Sequence, residues 1–343
     1  MAGIRESSIG IAALPATAII YSGPAFADPP LSYLSAFGPK ADSTASLTWG
    51  LLIISILVTA VMTGLVIWAI FRKRAPVSGP GPEPETHHIS TFNIFGWGLG
   101  LTALILAGCV GWTMMTLAAI DQPPKTPAVN IEVTGNQWWW RVRYLNDEPS
   151  KNFDTANEMH IPAGEPVKVT LRSEDVIHSF WVPSLSGKTD VIPGQLNTTW
   201  IEAREPGTYQ GQCGEYCGLQ HAHMQFKVIA DKPADYLAWR DNQLKLAPTP
   251  APGDPQAGLV VFEKRCGACH AVRGTMAGGY LGPNLSHLMT RSTLAAGTLP
   301  ADQGDLAGWI SDPQSVKPGT RMPHVPLSGD EMQLVITYLS SLN

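Results

Sequence analysis

Two stretches of this chain, residues 47–71 and 92–117, contain no charged side chain. Each exceeds the roughly 20 residues that a helix needs to cross the hydrocarbon core of a bilayer. The chain can shelter both only as a membrane hairpin or as two long buried helices. Arg72-Lys73-Arg74 opens the short loop between them. Basic residues in such loops stay on the cytoplasmic side, so both ends of the hairpin face outward and everything after about Leu117 is expected outside. The loop is expected to cover residues 72–91.

The beginning of the chain agrees with export. Arg5 precedes an apolar stretch from Ile9 to Tyr21, and Ala25-Phe26-Ala27 fits a small-residue cleavage signal. Residues 1–27 are therefore expected to be a signal peptide and residues 28–46 an outer segment leading into the membrane. From Ala118 onward the chain has 23 acidic and 18 basic side chains. That balance argues against nucleic acid and favours a basic protein partner.

The exported part changes character twice. "NIEVTGNQWWWRVRY", "EPVKVTLRS", "NTTWIEA" and "FKVIAD" are short strand-like runs between turn residues, which predicts an all-β sandwich or barrel. A short helix in "ADKPADYLAWRDNQLKLA" closes this unit, giving residues 118–246. "PTPAPGDP" makes residues 247–254 a stiff Pro-rich linker. Residues 255–343 then form a small helical domain. Asp254 is expected to cap its first helix, with Pro255 at the first helical position. "GDLAGWISDP" is expected to be a second short helix, and Ser328 and Glu331 a capping box for a last helix running to about Leu342. So small a domain with few apolar residues calls for a staple or a cofactor.

"CGACH" supplies one. Cys266 and Cys269 can each add to a haem vinyl group, and His270 is then delivered to the iron. The sixth ligand must come from Met276, Met289, Met322, Met332, His287 or His324. Met332 lies on an amphipathic helix and reads as core, and Met276 would have to turn back sharply. Met322, in "GTRMP", lies in an irregular stretch long enough to wrap to the far face. The segment resembles the class I c-type cytochromes, with "LGPNL" and "MP" where that family has them. The resemblance implies that His270 and Met322 are axial, giving an electron carrier.

"QCGEYCGLQHAHM", residues 212–224, packs two cysteines, two histidines, a glutamate and a methionine into one loop. A mononuclear blue-copper site uses one cysteine; a second thiolate four residues on allows two metals to be bridged, and soft sulfur favours copper. Tetrahedral zinc is the rival, but it would leave Met224 idle. The loop, with "VIHSFWVP", "KTDVIPGQ" and "GNQWWWRVRY", resembles the binuclear-copper (CuA) loop of subunit II of the haem-copper cytochrome c oxidases, carried on a cupredoxin β-barrel. With the cytochrome tail, the whole is similar to subunit II of the caa-type oxidases.

The resemblance implies a role for each residue. Cys213 and Cys217 would bridge two coppers, with His178 and His221 binding one each. Met224 would be a weak ligand to one copper and the Glu215 carbonyl a ligand to the other. The Glu215 carboxylate would help hold magnesium against subunit I. His223 matches no ligand position. Trp138 matches the residue where electrons enter, and Trp139 is read as strand packing. "PEPETHHISTFNIFGWG" departs from the family, which has a proton-uptake glutamate there, so Glu85, His87 and His88 receive no such role. The implied activity passes electrons from a cytochrome c donor to subunit I for oxygen reduction and proton pumping. The implied location is the bacterial inner membrane, with the copper and haem domains outside. Three rivals are the copper subunit of a nitric oxide reductase, a tethered copper chaperone and a quinol oxidase subunit. The cytochrome tail disfavours the first, Met224 with a haem the second, and the complete copper ligand set the third.

Overall fold

The computed structural model describes residues 31–73 and 91–343. The expected signal peptide and Glu85, His87 and His88 lie outside the described residues.

Helices α1 (Pro39–Phe71) and α2 (Thr91–Asp121) have 33 and 31 residues, so at 1.5 Å per residue each is about 50 Å long. Both overrun the uncharged stretches. Helix α1 starts at Pro39, whose missing N–H costs nothing in a first turn. The added turn docks on the outer domain rather than entering lipid. Lys40 is buried there, its Nζ donating to Thr199 Oγ1 at 2.7 Å and lying 5.4 Å from the Trp200 ring. The Trp200 indole in turn donates to the Ile120 carbonyl near the end of α2, at 2.9 Å. Both helices are thus tied to one tryptophan. Where they cross, a Cβ on Gly50 would lie 2.1 Å from the Trp112 ring, so the close approach requires glycine. Most other large apolar side chains on the two helices point outward, as lipid-facing residues must.

The outer domain has ten strands: β1 (Val129–Asn136), β2 (Trp139–Leu145), β3 (Phe153–Ala156), β4 (Glu158–Pro162), β5 (Val167–Ser173), β6 (His178–Trp181), β7 (Thr189–Val191), β8 (Asn197–Ile201), β9 (Gly207–Cys213) and β10 (Gln225–Asp231). They form two five-stranded sheets, β3-β2-β1-β5-β8 and β4-β10-β9-β6-β7. Strand β10 alternates buried and half-buried residues throughout, the period that puts one face of a strand in a core. Trp140, Phe180 and Phe226 pack with ring centroids 4.8–6.2 Å apart between the sheets. The turn between β1 and β2 falls at Gln137-Trp138, because the ladder continues to the pair Asn136–Trp139. Helix α3 (Pro233–Gln243) closes the unit.

After an irregular linker come α4 (Asp254–Arg265), α5 (Gln303–Ser311), α6 (Pro313–Val316) and α7 (Gly329–Leu339). Asp254 does not cap α4; Gly253 is the cap, at φ +100°, and Asp254 lies in the first turn. There its carboxylate still faces the positive end of the helix dipole. The Ser328–Glu331 capping box forms, and α7 ends at Leu339, three residues before the expected Leu342. Helices α4 and α7 cross so closely that a Cβ on Gly258 would lie 2.1 Å from the Leu334 carbonyl oxygen. Phe262, Leu306, Val335 and Tyr338 make the small core. The architecture is thus a two-helix membrane hairpin, a β-sandwich of two five-stranded sheets and a small helical domain.

Candidate metal centre

The copper-type ligands meet at one end of the second sheet. Strand pairing sets Phe180 of β6 opposite Cys213 of β9, which brings His178, at the start of β6, beside the last residue of β9. The loop between β9 and β10 supplies Cys217, His221 and Met224. The two sulfurs lie 3.7 Å apart, too far for a disulfide at about 2.05 Å, and both cysteines are free. Cys213 Sγ lies 3.9 Å from His178 Nδ1 and 3.2 Å from the Glu215 carbonyl oxygen. Cys217 Sγ lies 3.6 Å from His221 Nδ1 and 3.8 Å from Met224 Sδ. All six predicted donors therefore converge on one buried sulfur pair. His178, Cys213, Cys217 and Met224 are buried, and His221 is half-buried. Two sulfurs, two imidazoles, a thioether and a carbonyl form a soft donor set that suits copper.

The surroundings fix these donors. His178 Nε2 donates to Asp175 Oδ1 at 2.8 Å, which leaves Nδ1 facing the sulfurs. A Cβ on Gly135 would lie 2.7 Å from His178 Cδ2, so β1 can pass behind the ring only with glycine there. The contact between the two sulfurs lets one proton serve both, holding the Cys213 pKa well below its usual value and pushing that of Cys217 up. Metal binding must displace the remaining proton. The Glu215 side chain is exposed and accepts from the Tyr216 N–H at 3.1 Å. His223 is exposed, with Nδ1 2.8 Å from Gln220 Oε1.

The haem motif follows directly on α4. The N–H groups of Cys269 and His270 both bond the Cys266 carbonyl at 3.0 Å, a tight turn that gathers the three side chains. His270 Nδ1 bonds the Pro283 carbonyl at 2.8 Å, leaving Nε2 for a cavity. A Cβ on Gly282 would lie 2.6 Å from the same ring. Burial holds the His270 pKa below its usual value, so the ring is neutral and able to ligate. Cys269, His270 and Met322 line one cavity. The other sixth-ligand candidates do not reach it: Met276 is 90 % exposed, Met289 and Met332 pack against the core, and His287 and His324 bond the carbonyls of Asn343 and Ser311. Arg291 also lines the cavity; burial pulls its pKa to about 10, against the pull of Glu158, and its Nε has no partner. A buried guanidinium with an unmet donor suits a haem carboxylate. The residues present fit a covalent haem.

This cavity crosses the domain boundary, which no motif in the sequence signals. Asn136, Gln137, Trp138 and Trp139 of the β domain form part of its wall. Trp138 is only 7 % exposed, and its Nε1 donates to the Cys217 carbonyl at 3.0 Å. Trp139, expected only to pack, lines the cavity and stacks under Arg141 at 5.4 Å; Trp140 is fully buried. Two further groups had no sequence signal. Arg321 Nη2 reaches Asp175 Oδ2 at 3.2 Å, linking the haem domain to the carboxylate that orients His178. Lys317 of the haem domain is 2 % exposed, and burial pulls its pKa to about 7.

Comparison with known proteins gives a consistent answer. The family described as "Cytochrome C oxidase subunit II, periplasmic domain" matches residues 145–230, and that described as "Cytochrome c" matches residues 255–343. "Cytochrome c oxidase subunit 2" of Alkalihalophilus pseudofirmus is 36% identical over 321 residues, covering 90% of this chain and 91% of that one. The protein of the same name from Bacillus sp. (strain PS3) is 32% identical over 256 residues, 70% of each chain. Among solved structures, the periplasmic domain of subunit II of cytochrome oxidase (CoxB) of Bradyrhizobium japonicum is 30% identical, covering 35% of this chain and 95% of that one, with a TM-score of 0.32. The chain belongs to the cytochrome c oxidase subunit 2 family of the haem-copper oxidases, in a form that carries a C-terminal cytochrome c domain.

Proposed function

We propose that this subunit is the electron wire of a caa-type oxidase, taking electrons from an external cytochrome c and passing them to subunit I, where oxygen is reduced and protons are pumped. Cys266, Cys269, His270 and Met322 would hold a haem c, the two thiols by covalent attachment and the imidazole and thioether as donors to its iron. Cys213, Cys217, His178, His221, Met224 and the Glu215 carbonyl would together hold a copper pair, the two thiolates supplying the sulfur that both coppers could share. When bound, the two cofactors supply one-electron redox chemistry; no acid, base or nucleophile of this chain is needed. The residues keep the two sites dry and their ligands fixed, so little rearranges when an electron arrives. The Glu215 carboxylate, a hard oxygen donor, helps hold magnesium where the copper loop meets subunit I.

The observation that carries this reading is Trp138. Its ring walls the haem cavity, and its indole N–H is bonded to the carbonyl of Cys217. One side chain therefore touches both candidate sites. We place the membrane helices, the copper domain (118–246), the linker (247–254) and the haem domain (255–343) in the bacterial inner membrane, with both cofactor domains outside.

The test is to purify the oxidase, assay copper and iron in this subunit, and follow electrons after rapid reduction of the haem. Two coppers sharing one unpaired electron, one covalent haem, and copper reduction that tracks haem reoxidation are expected. One copper, or zinc, in the loop would overturn the binuclear assignment. Copper reduction that bypassed the haem would overturn the route.

A further inference from the structure

Lys317 is buried at the boundary between two domains, and among the described residues no carboxylate pairs with it. Its Nζ donates to the carbonyls of Trp138 at 2.8 Å, His223 at 2.7 Å and Ala295 at 2.9 Å. The three acceptors use all three ammonium protons. Ala295 belongs to the haem domain, whereas Trp138 and His223 belong to the copper domain. His223 directly precedes Met224 in the copper loop.

The neighbouring bonds extend the same seam. The Ala296 carbonyl accepts from the Gln225 N–H at 3.1 Å, so both residues that flank Met224 are bonded into the Lys317 region. Ala295 and Ala296 have φ of +49° and +59°, a left-handed conformation that alanine adopts only where its surroundings impose it. Gln220, also in the copper loop, donates to the Pro318 carbonyl at 2.9 Å. A Cβ on Gly319 would stand 3.4 Å from the Trp138 ring, which places residues 317–319 directly over it.

We propose that Lys317 is a positioning residue for the haem-to-copper step: it locks the haem domain onto the copper loop and fixes Trp138 between the two sites. The indole end of Trp138 is held by Cys217 and its backbone end by Lys317, so neither ring nor main chain can turn away from the cavity. One interface contact lies apart from this seam: Lys227 donates to Ser292 Oγ at 2.7 Å and joins the same domains without touching Trp138 or the copper loop. The step itself moves one electron from the reduced haem iron to the oxidised copper pair, and no bond forms or breaks.

This rests on the route proposed above, and the experiment separates the two. In the intact oxidase, Lys317→Met, Lys317→Gln and Lys227→Met are compared with wild type by flash reduction of the haem and by amide hydrogen exchange. Lys317→Met should slow haem-to-copper transfer by about tenfold or more, because losing its three bonds lets Trp138 and the copper loop shift from the geometry in which the seam holds them. The haem and copper spectra should be unchanged, and exchange should rise in peptides spanning residues 137–139 and 293–298. Lys317→Gln, which keeps two amide donors, should fall between, and Lys227→Met should stay within about twofold of wild type. Transfer in Lys317→Met within about twofold of wild type, or Lys227→Met as slow as Lys317→Met, overturns the proposal. If Lys317→Met does not assemble, Lys317→Gln decides by the same criteria. If wild type shows no haem-to-copper transfer, the route fails, and the exchange data alone decide whether Lys317 locks the domains.

Discussion

A single methyl group at Gly135 would meet His178 Cδ2 at 2.7 Å, nearer than any carbon contact allows. Gly135→Ala should therefore push the imidazole off the sulfur pair and cost about 1–3 kcal/mol of overpacking. Copper content should fall while covalent haem stays at one per chain, measured by metal assay and haem absorbance. Asp175→Asn removes the charge shared by His178 and Arg321. Loss of such a carboxylate behind a ligating histidine typically lowers metal affinity 10–100-fold, so copper should exchange into a chelator correspondingly sooner. Met322→Ala should leave the haem attached through Cys266 and Cys269 but convert its low-spin spectrum to one with an open iron position. These residues differ in how far the sequence revealed them. The copper loop was legible because Cys213, Cys217, His221 and Met224 lie within twelve residues. Gly135, Asp175, Arg321 and Lys317 were not, since each acts on a partner that only the fold brings near; Lys317 and Trp138 are 179 positions apart.

At the scale of elements, capping and periodicity read well and short strands read badly. The Ser328–Glu331 box was visible because its donors and acceptors are three residues apart. Ser328→Ala should cost about 1 kcal/mol, and a thermal melt of the haem domain's absorbance should show it. Strands β3, β6 and β7 have only three or four residues, too few to show a period, and they were missed along with β4 and with β9, whose buried positions Tyr209, Gly211 and Cys213 do not read as an apolar face. Yet β6 is the strand that delivers His178. Helix α1 began earlier than its apolar run because Lys40 and Ala41 are buried by protein contacts, which hydropathy cannot distinguish from exposure. Asp254 misled for a related reason: it is a good cap by type, but Gly253 already occupied that position in the backbone.

For the whole molecule, the linker and the seam divide the work of holding the haem domain. A tether of this length gives an effective concentration near the millimolar range, so the seam can be weak and still be occupied. Cutting the chain between Thr249 and Pro252 should leave the domain bound at low salt and release it on dilution, and more readily as salt rises, because Arg321–Asp175 is an exposed-to-buried ion pair. Gel filtration of the cut oxidase, monitored at the haem band, would show this. A haem domain that left at once in low salt would mean that the tether alone holds it.

The position of Trp138 beneath residues 317–319 also sets the order of the kinetics. A soluble donor cannot reach an indole that is 7 % exposed, so on the proposed route it must reach the haem instead. The encounter with that donor remains a second-order collision, steered by charge and slowed by salt. Passage from haem to copper becomes a first-order event inside one molecule, indifferent to donor concentration and to dilution. Fusing the carrier to its acceptor thus moves every dependence on the surroundings to a single outer step.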